Sequence, residues 1–578
     1  MTVTSDAVVV GSGINGLVVA AELASAGWDV VLVERNEQLG GFVASEERTV
    51  SGYVHDTFSS WHSLFVSGAA YATLADDLHR HGLRYRNAEG LLCESVNRDG
   101  NAVVAERDPA QTAANFMYAR DEDRYLSAIQ DFLDHAGPVG ELMSSELRSP
   151  ALLKHGAKLF RALGKSGTEH WLNDLVSSGR AWCRREFSGP EVDRLWMPWL
   201  LHAGPSPDHA GGGFMLPVLA ATLHGFGLPV VEGGAGNLVE AFVSLLRERG
   251  VRIRTGVTVE KIVVEGGRAV GVVSGDEQFR ARRAVIASVT PTALYGQLLP
   301  PGSAPEPVML QANDFRYRRG AMQMHVALSS PLVWQDERLS DVPLIHVSDG
   351  SASTGIACAQ AEAGLLPERQ TIVIGRQYLL DRTRVPVGTA SLWLQLQETP
   401  YAPIGEAAGR WTTALADGYS ERVLDRIAER APDLRTKILA VDVLTPLQLE
   451  AANPNAVAGD PYGGAAELDQ SFMWRPLRSA ASHQTPVEGL WHIGASTHPG
   501  GGTRRRIGPP RGSTTNQITR PTRRFGESAR ENTRAALSRS PDAISERPRT
   551  PPWRRSFRSG SPLGRGEPCA PAPEKCCR

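Results

Sequence analysis

Cysteine is scarce, with six in 578 residues. Cys93, Cys183 and Cys358 are scattered, and Cys569, Cys576 and Cys577 stand near the C-terminus. No CxxC pair and no Cys/His spacing occurs, which excludes a disulfide framework and a cysteine-based metal site. Long apolar runs are also lacking, and no stretch of about 18 apolar residues marks a membrane-spanning helix. Met1 to Asp6 carries no basic cluster of the kind that opens a secretory signal. A reducing, cytoplasmic setting is therefore expected. No internal repeat is evident. With 42% hydrophobic and 21% charged residues, the chain is not collagenous, wholly disordered or a coiled-coil rod. Its length suggests two to four domains at roughly 150 residues each.

Net charge is nearly absent too, at −2, but that figure averages two unlike parts. Residues 503–578 carry 17 Arg and one Lys against six acids, a net of +12. The other 502 residues carry 43 basic and 57 acidic side chains, a net of −14. The basic tail has 11 prolines, no valine and only eight residues from Ile, Leu, Met, Phe, Trp and Tyr. Such a segment buries too little apolar surface to offset its ordering entropy, so it reads as disordered.

The N-terminus holds a clear pattern. Ala7-Val8-Val9-Val10 reads as a strand buried on both faces. Gly11-Ser12-Gly13-Ile14-Asn15-Gly16 follows, then a helix from Leu17 to Ala26 closed by Gly27. Asp29 to Val33 is a second buried strand, ended by Glu34. In a strand–GxGxxG–helix–strand unit Gly11 permits the tight turn, Gly13 lets backbone approach a pyrophosphate, and Gly16 lets helix pack on strand. The helix N-terminus offers free N–H groups and a positive dipole end to the phosphates. Glu34, 18 residues after Gly16, is placed to accept ribose hydroxyls and disfavours a 2′-phosphate.

Two further stretches extend the pattern. Arg35 to Gln38 leads to Leu39-Gly40-Gly41, and Gly489 to Gly502 reads GLWHIGASTHPGGG. With PVVEGGAGNLVEAF from Pro229, these resemble the phytoene dehydrogenase-related flavoproteins. That group covers bacterial-type phytoene desaturases, carotenoid ketolases and oxidoreductases named for a pyridine nucleotide-disulphide oxidoreductase domain. The resemblance spans about residues 5–502. It implies FAD as cofactor, held by Gly11, Ser12, Gly13, Asn15, Gly16, Glu34, Arg35, Gly40 and Gly41. It also implies a backbone contact to adenine at Val259. Gly494, Ala495, Pro499, Gly500 and Gly501 would lead into a helix aimed at the flavin ring, whose dipole would stabilise negative charge there. Disulphide reductases are disfavoured, because no CxxxxC pair follows Gly41.

The implied fold class is α/β. A Rossmann-like FAD-binding domain of the amine oxidase/phytoene desaturase type is expected from 1–90, 205–290 and 445–502. A mixed α+β substrate domain is expected from 91–204 and 291–444, with the disordered tail over 503–578. Within it, 108–185 reads as largely helical, broken at Gly137-Pro138 and Ser149-Pro150. Period-2 runs such as Ser391-Leu-Trp-Leu-Gln-Leu suggest a sheet with one covered face. Trp171, Trp182, Trp196 and Trp199, followed by Phe214, Met215 and Leu216, form a hydrophobic core, an apolar ligand pocket or a membrane-surface patch.

The expected reaction is hydride transfer from an apolar carotenoid, polyene or lipid-like substrate to flavin N5. No catalytic residue is assigned. His62, His202, His209 and His498 are candidate proton acceptors, each with a structural reading beside it. An amine or amino-acid oxidase, or a non-catalytic binding protein on this scaffold, remains the alternative. No metal and no nucleic acid is expected, peripheral membrane association is open, and the oligomeric state is not legible. After Gly502 the family continues with a helix of small and apolar residues. Here Thr503-Arg504-Arg505-Arg506 intervenes, so the tail reads as a frameshifted extension. An alternative frame in the coding DNA that restores a Gly/Ala-rich helix would establish this.

Overall fold

Two seven-stranded sheets dominate the computed structural model. The structure describes residues 1–499 apart from 144, 146, 147, 149 and 406–408, and gives no account of the side chain at 151. The expectations for the tail, for Gly500 and for Gly501 lie outside the described residues. The described chain belongs to one compact unit.

The first sheet is built around β1 (Thr2–Val10), whose Ala7, Val8 and Val9 are completely buried. β1 pairs in parallel with β2 (Val30–Val33) on one side and with Glu277–Ala287 on the other, with Val8 opposite both Val31 and Val285. Arg252–Arg254 extends the sheet beyond β2. Lys261–Glu265 and Arg268–Ser274 form an antiparallel extension beyond the first half of Glu277–Ala287, and Leu490–His492 lies parallel to its second half. β-Branched residues fill β1 and β2 because both faces are covered. α1 (Ile14–Ser25) and the helix Gly236–Glu248 share one core with this sheet.

The second sheet runs in the order 438–444, 320–328, 390–399, 372–375, 344–347, 91–96, 102–106. It is mixed: 344–347 lies parallel to 91–96, and the other pairings are antiparallel. The expectation of one covered face is corrected here. Gly320–Leu328 and Ala390–Thr399 are buried at every position. Their alternating polar residues, including Gln323, His325, Gln395 and Gln397, point into protein rather than water.

The helical region is also corrected. Ala119–Met143 runs as one helix straight through Pro138. Buried Ala136 and Val139 flank that proline, and their packing offsets the roughly 3 kcal/mol intrinsic penalty of Pro in a helix. The next helix, Pro150–Val176, departs from helical geometry at Gly164, where φ is 68°. These helices and Gly212–Phe226 pack with Leu92, Cys93, Leu344, Val373 and Trp393 of the second sheet. Gly212–Phe226 is thereby placed to supply a wall of the site.

Candidate functional site

One cavity of about 310 Å³ connects the glycine turns of the first sheet with the aromatic side of the second. Gly13, Asn15, Gly40, Gly41, Gly494 and Ala495 line one end. Each glycine has a local reason. A Cβ on Gly16 would sit 2.0 Å from the Gly11 carbonyl oxygen, so helix and strand could not meet. Gly40 has φ of 106°, and a Cβ there would reach 2.5 Å from the Val43 carbonyl. Around Gly13 nothing lies within 4 Å of a built Cβ. That open space, beside a helix N-terminus whose cap makes no side-chain hydrogen bond, is what a pyrophosphate needs. The residues present therefore fit a dinucleotide.

Ser12 and Glu34 stand behind this end rather than in it. The Glu34 Oε2 accepts from the Ser12 N–H at 2.8 Å and from the Ser12 hydroxyl at 2.7 Å, and Oε1 accepts from the Asn36 N–H at 3.0 Å. Ser12 Oγ also accepts from the Gly40 N–H at 3.3 Å. Glu34 thus ties the first turn to the second, and keeps one acceptor position on Oε1. Arg35 is exposed and donates to the Ala451 carbonyl. Val259 is half-buried, two residues past Val257, whose N–H donates to the Glu34 carbonyl at 2.8 Å. Pro499 follows His498 outside the cavity lining.

Residues that sequence reasoning missed complete the wall. Asn453 and Asn455 flank Pro454, and Asn455 Nδ2 donates to the Ser288 carbonyl at 3.0 Å. Ser288 in turn meets Gly11, whose built Cβ would lie 3.2 Å from the Ser288 carbonyl. The pattern Asn-Pro-Asn in an otherwise Ala-rich stretch was the available signal.

The cavity lining is also aromatic, with Phe58, Trp61, Phe65, Trp199, Trp393 and Tyr462. Of the four clustered tryptophans, Trp199 lines the cavity, while Trp182 and Trp196 fill the core. Trp171 packs on Phe214 and donates to Asp131 at 2.7 Å. The candidate histidines divide likewise. His62 and His202 line the cavity. His209 faces Glu362 at 3.8 Å, and His498 contacts the Met143 carbonyl at 3.0 Å. The His62 ring contacts the Tyr85 hydroxyl at 3.1 Å. His202 Nε2 lies 3.1 Å from His346 Nε2, so one ring donates and the other accepts. Burial pushes His202 down to about 3 and His346 well below its ordinary value, which keeps the pair neutral.

A buried ion cluster joins the segments around the cavity. Arg384 Nη1 meets Asp56 Oδ2 at 2.8 Å, and its Nε meets Asp381 Oδ2 at 3.2 Å. Asp56 also accepts from the Ala235 N–H at 2.7 Å, and Asp381 from the Gly233 N–H at 2.7 Å. Burial opposes ionisation of Asp56, yet Arg384 and these donors hold its carboxyl below the usual range. Among the described residues, no group of three or more His, Cys, Asp or Glu side chains could hold a metal ion.

Residues 14–503 match the family model described as flavin containing amine oxidoreductase. The chain is 28% identical over 535 residues to mouse pyridine nucleotide-disulfide oxidoreductase domain-containing protein 2, covering 86% of this chain and 90% of that one. It is 22% identical over 523 residues to a 4,4'-diaponeurosporene oxygenase of Staphylococcus aureus, covering 86% and 95%. Among solved structures it resembles putrescine oxidase bound to putrescine, at 15% identity and a TM-score of 0.55, covering 93% and 99%.

Proposed function

We propose that this chain, which belongs to the flavin containing amine oxidoreductase family, dehydrogenates or oxidises an uncharged, apolar polyene- or lipid-like molecule. It is an FAD-dependent oxidoreductase. One observation carries the substrate class: no Asp, Glu, Lys or Arg is among the described residues lining the cavity. A protonated amine entering it would meet no carboxylate, and losing its hydration without a partner is costly. An apolar chain meets aromatic rings and aliphatic side chains instead. The 4,4'-diaponeurosporene oxygenase relative, named for a carotenoid, supports the same class.

When bound, FAD supplies the acceptor for a hydride taken from substrate carbon. The chain's own residues would do the rest. Gly13, Asn15, Gly40 and Gly41 would seat the pyrophosphate, with Gly494 and Ala495 near the flavin. Trp199 and Trp393 would flank the substrate and exclude water. His62 and His202 are the histidines that line the cavity. Burial pushes His202 down to about 3, which makes it a poor proton acceptor, so no side chain is assigned to take the proton lost beside the oxidised carbon. The two sheets support a division into an FAD-binding domain and a substrate domain, but Gly212–Phe226 packs with the second sheet and the stretch from Leu294 to Phe315 with the first, across the boundaries expected from sequence.

Peripheral membrane association accords with an apolar substrate. Its support is the helix Pro150–Val176, which exposes Leu153, Phe160, Leu172 and Val176. Among the described residues no helix is long and apolar enough to cross a membrane.

An anaerobic screen of the FAD-loaded protein tests the reading by following loss of the flavin's visible absorbance. Polyenes or other apolar lipids should bleach it, and aliphatic amines should not. Bleaching by amines alone would overturn the proposal in favour of an amine oxidase.

A further inference from the structure

The cavity carries one polar strip. On Ala390–Thr399, Trp393, Gln395 and Gln397 alternate onto one face, and Trp393 and Gln395 reach the cavity. Gln397 Nε2 donates to the Gln395 amide oxygen at 2.6 Å and to the Tyr462 hydroxyl oxygen at 2.7 Å. Both protons of that amide are then used. In this orientation of the Gln397 amide the Tyr462 hydroxyl oxygen accepts and its own proton is free to be donated, while the Gln397 amide oxygen is left buried without a hydrogen-bond partner. Among the described residues nothing accepts that proton, nor the amide protons of Gln395. Both side chains line the cavity. The Arg318 guanidinium sits 4.5 Å over the Tyr462 ring, buried, with its Nε paired to Asp460 Oδ1 at 3.8 Å and its Nη1 without a hydrogen-bond partner. Burial makes the Tyr462 phenol a weaker acid, and the Arg318 cation against its ring opposes that effect.

Unpaired donors in a neutral, mostly apolar cavity discriminate strongly, and the Trp61 and Trp393 indole N–H groups stand in the same lining without a hydrogen-bond partner. A pure hydrocarbon would strip the Tyr462 and Gln395 donors of water and leave them unpaired, whereas a ligand oxygen would satisfy both. Sites built this way reject the analogue that lacks the polar group far better than an apolar pocket rejects an extra one. We propose that Tyr462 and Gln395, set by Gln397 and Arg318, form a subsite for an uncharged acceptor oxygen, a carbonyl or hydroxyl, on an otherwise apolar substrate. This inference rests on the apolar-substrate reading and narrows it from hydrocarbons to oxygen-bearing molecules.

Limonene and carvone share a ten-carbon skeleton and differ by one carbonyl, so they isolate the effect. Each is titrated into the FAD-loaded protein, and binding is read from tryptophan fluorescence and from the bound flavin's visible spectrum. Carvone is expected to bind at least about tenfold tighter. Tyr462→Phe, and independently Gln395→Met, should bring the ratio close to one by weakening carvone binding and tightening limonene binding, since the hydrocarbon no longer leaves a donor unpaired. Equal affinities in the wild-type protein, or a ratio that survives both substitutions, would overturn the subsite. So would a Tyr462→Phe protein with weakened FAD affinity and an intact ratio, which assigns the donors to the flavin carbonyls. Limonene binding without carbonyl preference overturns this inference alone. Failure of both ligands to bind overturns the apolar-substrate reading as well.

Discussion

Two glycines three residues apart, Gly13 and Gly16, make different demands. Gly16 cannot carry a Cβ because the Gly11 carbonyl oxygen already occupies its place, at 2.0 Å. Gly13 could carry one without touching anything within 4 Å. Gly16→Ala is therefore expected to lower the melting temperature and to abolish FAD binding together. Gly13→Ala should melt within about 1 kcal/mol of the wild-type protein, as substitutions in open space do. Its added methyl would stand where the pyrophosphate must approach, so FAD affinity should fall at least about tenfold. Thermal melts of the apoprotein and FAD titrations measure the two effects separately. If Gly13→Ala binds FAD as tightly as the wild-type protein, this turn does not seat the pyrophosphate. The glycines were legible from sequence because each obeys a local steric rule. Ser12 and Glu34 were legible only in part. Nothing in the spacing says that Glu34 gives three acceptor contacts to Ser12 and Asn36, since the fold alone brings them together.

Strand alternation in the second sheet announced strands but misplaced their environment. Hydrophobic-polar alternation implies a wet face only when no other layer covers it. Here that face is enclosed, so Gln323, Gln395 and Gln397 became interior polar groups, and two of them shape the polar strip. The converse holds in the helix Pro150–Val176, where apolar residues face outward. Leu153 is 77% exposed and Phe160 51% exposed, seven residues apart and so on one face. Lys154, Arg161 and Lys165 share this stretch with Lys158, whose ammonium is paired with Glu141 at 2.7 Å, and from 150 to 168 it contains no acidic residue. Apolar side chains bordered by lysine and arginine are what an interfacial helix presents to anionic lipid. Each cation adds about 1 kcal/mol near such a surface. The protein should co-sediment with vesicles containing phosphatidylserine and detach as salt rises. Replacing Leu153 and Phe160 together by Ser should cut that binding about tenfold without lowering the melting temperature. Co-sedimentation that is unchanged by the double replacement would remove this helix as the membrane-facing element.

Across the whole molecule, glycine turns separated by hundreds of residues meet in one cavity because β1, β2 and Leu490–His492 share a sheet. Their order in the sequence was legible. The helices and second sheet that close the cavity were not, because their pairings depend on long-range packing. That enclosure also buries an unusual set of titratable groups, and their balance sets how stability responds to pH. Burial holds His55 and His202 down to about 3 and His224 and His492 down to about 4. Once unfolded, these rings titrate near 6.5. The unfolded chain then binds more protons below about pH 6.5, so their contribution is complete above that pH and is lost as pH falls towards 4. Each histidine changes stability by up to about 1.4 kcal/mol per pH unit in that window. Glu94 and Glu398 act in the opposite sense. Burial raises both to about 7, so their contribution is complete below about 4.5 and is lost as pH rises through 7. Burial also raises Glu106, Asp174 and Asp193, but only Glu94 and Glu398 reach about 7, so the four histidines outnumber these two between pH 4.5 and 6.5, and only the carboxyl losses continue above it. The melting temperature at constant ionic strength should therefore climb from pH 5 to a maximum near pH 6.5 and decline slightly towards pH 7.5. Glu398→Gln, which removes one of the two opposing groups, should reduce that decline and leave the acid limb in place. A melting temperature that is flat or falls between pH 5 and 6.5 would mean that these histidines are not held neutral in the folded protein.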